Sequence, residues 1–186
     1  MTESRYFAPL DWKLAAIAGG IAFVVYGLTL APTVTLEYSG ALVVAADHLG
    51  VARPPGYPVW TLLAKGFICL FPFARYHGHP NPAWAVNLMS AVFGAGACGL
   101  LAALVRRVAR ALVPAGIGAT VAGGGAGLLF AFSPVWWSLA VVAETLTLTT
   151  FFFLALLALS LRWIETADRR SPYLLAFLAG LGLSLS

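Results

Sequence analysis

Charge is scarce in this chain: Asp, Glu, Lys and Arg make up 10% of its 186 residues, against about a quarter in a soluble domain. With 61% of residues hydrophobic, that shortage excludes an ordinary water-soluble fold and points to the bilayer. Cysteine is scarce as well. Cys69 and Cys98 stand in apolar surroundings without CxxC spacing, which argues against zinc-finger and disulfide-framework classes and leaves free apolar thiols. A cleavable leader pattern is also missing. The first residues, MTESRYFAPLDWK, are polar, and the apolar run after them is too long for a signal h-region. It reads as a retained first transmembrane helix. The net charge of +4 comes from bases clustered beside apolar segments, without aromatic interleaving. A positive-inside bias accounts for them, and nucleic acid is not expected as a partner.

What is there is a series of apolar runs, each about 20 residues long and so able to span roughly 30 Å of hydrocarbon. Spans are expected over about 14–33, 83–105, 111–132 and 143–163, with an incomplete one over 173–186. The expected fold class is all-α, a polytopic membrane helical bundle forming a single membrane domain over 1–186, truncated at its C-terminus. Between the first two spans, residues 34–82 are expected to form a loop carrying interfacial helices. One covers 39–49 with Ser39 as its N-cap, and the second, interfacial or re-entrant, covers 59–73 and includes Lys65. A turn-rich polar connector follows over 74–82. Base counting sets the orientation. With the N-terminus in the cytoplasm, Arg5, Lys13, Arg106, Arg107, Arg110, Arg162, Arg169 and Arg170 fall inside. Arg53, Lys65 and Arg75 alone fall outside. The loop and Glu144 then share the extracytoplasmic side.

That loop collects most of the candidate chemistry. Glu37, one turn beyond the first span, is either a solvated interface residue or a general base or metal ligand. Asp47 and His48 end a short helix, where adjacent side chains point in different directions, so capping and solvation compete with a catalytic or metal role for Asp47. Arg53 precedes a Pro54-Pro55-Gly56-Tyr57-Pro58 turn that holds it extended, and its planar fork suits a phosphate or a lipid headgroup. Lys65 either snorkels to the surface or holds a lipid phosphate. His77 and His79 belong to a polar connector, with chelation as the alternative. Glu144, at the membrane face of the fourth span, is expected to face a wet cleft or simply the interface. Trp60, Trp136 and Trp137 are expected to be belt anchors, and Gly123 with Gly127 to form a close helix-packing pair.

The order APTVTLEYSG … LGVARPPGYPVW … NLMSAVFGA … LLFAFSPVWWSLAVVAETLTL … YLLAFLAGLGLSLS resembles the N-terminal part of a polytopic membrane family formerly of unknown function. That family includes a transmembrane protein O-mannosyltransferase and is placed with the GT-C glycosyltransferases. The resemblance runs over nearly the whole chain from Leu30 on. It implies a GT-C-like core, a polyprenyl-phosphate sugar donor, an acceptor protein or glycan, an extracytoplasmic site and a catalytic acid in the first large loop. Where relatives read Asp-Ser-Gly-Glu and then His-Pro-Pro-Gly, this chain has Tyr38, Ser39, Gly40 and Ala41, then Arg53, Pro54, Pro55 and Gly56. Both loop acids and the histidine are thus replaced. Glu144 matches the family acid of the fourth-span motif, with Leu146 in place of the usual aromatic.

Three outcomes stay open: Glu37 takes over as base, Asp47 and Glu144 suffice, or the protein is a degenerate paralogue that binds lipid phosphates as a scaffold. A transporter is a third class, without a charge at the centre of any expected span. The leading expectation is a sugar transferase with Glu37 as base or metal ligand, Glu144 and Asp47 as acids, and Arg53 and Lys65 on the donor phosphate. A divalent metal is the candidate cofactor. The chain alone is expected to be inactive, and a bacterial inner membrane is the expected location.

Overall fold

The computed structural model describes residues 6–35, 38–52, 56–112, 117–167 and 169–184. Proline begins most of the helices. It opens α1 (Pro9–Leu28), α3 (Pro58–Leu70), α4 (Pro82–Leu112) and α6 (Pro134–Ala140), and it is second in α8 (Ser171–Leu183). Its fixed φ suits the first turn, where its missing N–H would have had no partner. The other helices are α2 (Ser39–His48), α5 (Ile117–Ala131) and α7 (Leu146–Thr166). A small antiparallel hairpin, β1 (Arg75–Tyr76) with β2 (His79–Pro80), fills the polar connector and pairs Tyr76 with His79. Among the described residues this is an all-α membrane bundle. Three helices, α1, α4 and α7, are long and apolar enough to cross a bilayer, or four spans if α5 and α6 count as one bent span.

α4 is the axis. It runs for 31 residues, or roughly 46 Å at 1.5 Å per residue, and touches α1, α2, α3, α5, α6 and α7. Its buried face is mostly alanine and glycine, which lets neighbouring backbones approach closely. A Cβ on Gly123 would lie 2.6 Å from the Ala102 carbonyl oxygen and from Arg106 Cβ, and one on Gly127 would lie 2.8 Å from Ala102 Cβ. The expected packing pair is therefore in contact, α5 against α4. Gly123→Val is expected to cost about 1–3 kcal/mol through overpacking. Gly125→Ala, which meets nothing within 4 Å, should be neutral or stabilising by up to about 1 kcal/mol. Unfolding of the two variants in detergent checks the contrast.

Several boundaries differ from the sequence expectation. α1 starts at Pro9 instead of 14, because Asp11 in its first turn accepts the Ala8 N–H at 2.7 Å and closes the helix start. The span expected over 111–132 is a 15-residue helix followed by α6 at an angle of 65°. Pro134 forces the break, since it holds Ser133 in an extended conformation. α7 begins at Leu146, leaving residues 141–145 as a second break. Ser39 is the first helical residue and not the cap. Its hydroxyl donates to the Thr35 carbonyl and accepts the Thr35 N–H, so it ties down the chain entering α2.

Two cores result. One lies between α1, α4, α5, α6 and α7 and contains Tyr26, Cys98, Trp136 and Leu154. The other joins the loop helices to the bundle, with Leu42, Val43, Trp60, Val86, Met89 and Leu148. Two tryptophans expected at the lipid belt are thus interior. Trp60 is fully buried, and Trp136 is buried and stacked on Phe130 with ring centroids 4.4 Å apart. The loop supplies enough apolar area on α2 and α3 to cover Trp60, and that burial outweighs the interfacial preference of the ring. Trp137 is half-buried and donates to the Thr29 hydroxyl at 2.9 Å.

Candidate functional site

At one end of α4 the loops converge on its first turns. Asn81 donates to the Pro32 carbonyl at 2.7 Å, and Asn87, almost fully buried, donates to the Ala31 carbonyl at 2.9 Å. The Ala31 N–H in turn reaches the Val141 carbonyl at 3.0 Å. The exit of α1 and the break before α7 are therefore joined in one polar junction. Glu37, five positions after Pro32 in sequence, lies outside the described residues. So do Arg53, Pro54 and Pro55.

Glu144 sits in the break, half-buried, and its peptide is held from two sides. Its N–H donates to Ser90 Oγ at 3.2 Å, and its carbonyl accepts Trp60 Nε1 at 3.1 Å and lies 3.4 Å from the same serine hydroxyl. Its carboxylate takes the Thr145 N–H at 2.9 Å. Among the described residues no cation pairs with it. The other described acids are all neutralised. Asp11 meets Arg106 and Arg110, Asp47 meets Lys65, and Glu165 meets Arg107. A fixed peptide bearing an unneutralised carboxylate is what a proton acceptor needs.

Asp47 and Lys65, both expected at the site, hold each other. The ammonium lies 3.0 Å from Asp47 Oδ1 and also bonds the Asp47 carbonyl, clipping the end of α2 to α3. His48, its neighbour, folds back on the Val44 carbonyl of its own helix. To reach a phosphate, Lys65 must release Asp47. The pair is about a third exposed on each side, and such a pair is worth less than about 1 kcal/mol. Lys65→Met should therefore change stability by no more than that, as read by thermal unfolding. Tyr38 is exposed, and Tyr57 is half-buried against the loop core. Gly56 has φ +97°, a conformation that excludes a side chain without strain. No three His, Cys, Asp or Glu side chains converge among the described residues, so a metal would draw ligands from outside them as well.

The far end of α4 carries a cluster that sequence reasoning missed. Asp11 is fully buried and bonded by Arg106, itself 6% exposed, and by Arg110 at 2.6 Å. Arg106 Nε also donates to the Thr120 hydroxyl at 3.1 Å. Beside them Arg107 pairs with Glu165, donates to the Tyr6 carbonyl at 2.9 Å and lies over the Tyr6 ring at 4.5 Å. Burial pushes the Tyr6 phenol up, against the lowering pull of Arg107. The available signal was Arg106 and Arg110, four apart on one helix face, with a lone acid in the first turn of α1. An apolar groove of about 330 Å³ between α1 and α4, lined by Ala15, Gly19, Phe23, Val92 and Ala95 among others, holds no ionisable group.

Residues 39–186 match the family described as the Protein O-mannosyl-transferase TMEM260 N-terminal domain. The chain is 34% identical over 180 residues to the mouse Protein O-mannosyl-transferase TMEM260, covering 94% of this chain and 24% of that protein. It is 26% identical over 190 residues to the Dictyostelium discoideum Protein O-mannosyl-transferase tmem260, covering 87% of this chain and 20% of that protein. The chain thus spans about a quarter or less of the length of these relatives. Both relatives are eukaryotic and lend no support to the bacterial membrane expected from the sequence. No solved structure matches.

Proposed function

The chain belongs to the Protein O-mannosyl-transferase TMEM260 N-terminal domain family, and from that premise we propose that it is the N-terminal membrane part of a GT-C-type protein O-mannosyltransferase. The donor is a polyprenyl-phosphate sugar and the acceptor a protein hydroxyl, met on the extracytoplasmic face, with the N-terminus of the chain in the cytoplasm. The acceptor oxygen bonds to the anomeric carbon of the sugar. The bond from that carbon to the phosphate oxygen breaks, and polyprenyl phosphate leaves with the electron pair. The hydroxyl proton passes to a carboxylate.

Glu144 is that carboxylate in this reading, and its unneutralised, backbone-held state among the described residues is the observation that carries it. Glu37 is the second acid, a base in its own right or a ligand to a divalent cation on the departing phosphate. Arg53 is assigned to that phosphate, with Lys65 joining only on release from Asp47.

The test is sugar transfer from a polyprenyl-phosphate mannose to an acceptor peptide by the full-length protein and its Glu144→Gln and Glu37→Gln variants. Loss in Glu144→Gln supports the assignment, and loss in Glu37→Gln alone moves the proton to Glu37. A wild-type protein that binds the donor but transfers nothing is the scaffold for which Tyr38 and Ala41, in place of the family acids, would speak.

A further inference from the structure

We infer that Trp60 and Ser90 are positioning residues, which aim the Glu144 carboxylate by gripping its peptide from the loop and from α4; the inference rests on the reading of Glu144 as proton acceptor. The break between Ala140 and Leu146 removes the Glu144 peptide from any helix, so its N–H and carbonyl must find partners outside the backbone ladder. Both partners are side chains with no exposed surface, Trp60 and Ser90 at 0% each. The serine takes the N–H at 3.2 Å, and the indole gives its N–H to the carbonyl at 3.1 Å. Ala143, just before, is 1% exposed and packs in the same core as Trp60. The peptide is thus fixed by two elements that approach from different parts of the chain. The carboxylate it carries remains half-buried and without a cation among the described residues.

Rotation of that peptide would swing the acid, and misplacement by about 1 Å can cost on the order of a hundredfold in rate. Trp60 stands in the first turn of α3, two residues past Pro58.

Trp60→Phe keeps an aromatic ring and deletes the donor, and Ser90→Ala deletes the hydroxyl without enlarging the side chain. In the full-length protein each is expected to lower kcat about tenfold to a hundredfold with KM within about twofold. In a Glu144→Gln background, neither should lower the residual rate further, because the group they aim is gone. Loss of the same factor in both backgrounds, or a KM rise with kcat intact, overturns the positioning role. Thermal midpoints of the variants separate a folding defect from a loss of aim. Wild-type turnover in Trp60→Phe and Ser90→Ala beside an inactive Glu144→Gln overturns the positioning role alone. Wild-type turnover in Glu144→Gln overturns the reading beneath it.

Discussion

Glu144→Gln in the full-length protein is expected to lower sugar transfer by about a hundredfold to ten-thousandfold, the usual worth of a placed general base, with little change in stability. The structure separates the two effects cleanly. The side chain takes one hydrogen bond, from the N–H of Thr145, and a carboxamide oxygen can still accept that bond, though without the strengthening a charged acceptor gives. The bonds from Trp60 and Ser90 go to the peptide and are blind to the substitution. No ion pair is lost among the described residues, so the change in unfolding free energy should stay within about 1 kcal/mol, the scale of a single hydrogen bond. A transfer assay beside a thermal melt in detergent reads both. A drop in rate with a parallel drop in melting temperature would point to a structural role for the acid.

The second large effect lies at the other end of the molecule. Asp11→Ala leaves Arg106, 6% exposed, and Arg110 facing each other without an anion. Breaking a buried pair by removing one partner costs about 3–5 kcal/mol, because the remaining charge is stranded out of water. The start of α1 loses its closing bond as well, since the same carboxylate takes the Ala8 N–H. Unfolding in detergent should show the loss directly. The triple variant Asp11→Leu, Arg106→Met, Arg110→Met should recover most of it, because an apolar replacement of a whole buried cluster is often neutral or better. A triple variant no more stable than Asp11→Ala would mean that the cluster contributes more than its own neutralisation.

Much of this arrangement could be read from residues alone. Hydropathy located the bundle, and α2 appeared within a residue of its observed end, because Ser39 and the run after it carry local signals. Gly123 and Gly127 announced the contact of α5 with α4. Counting back from Trp163 puts Glu144 near the start of the fourth expected span, and the break before α7 lies at that position in the chain. What escaped were pairings across distance. Lys65 looked like a cation available to a phosphate, and its partner Asp47 is 18 residues away on another helix. Asp11 reads as part of a polar N-terminal stretch, and its arginines lie some 95 residues further on. Trp60 looked like a belt residue because its burial depends on α2 folding over it. Composition and periodicity report on one helix at a time, and each of these facts belongs to two.

The length of α4 has a consequence for how this protein meets different membranes. Ser90, at the Glu144 end, and Arg106, at the Asp11 end, lie on the same uninterrupted helix, which places them roughly 24 Å apart by helical rise alone. A helix cannot stretch to follow its surroundings. In a thicker bilayer the protein has no slack to take up, and in a thinner one it must lean over, carrying both polar ends together. Lipid chain length then becomes a handle on the orientation of the acid to the water layer, applied without touching a single residue.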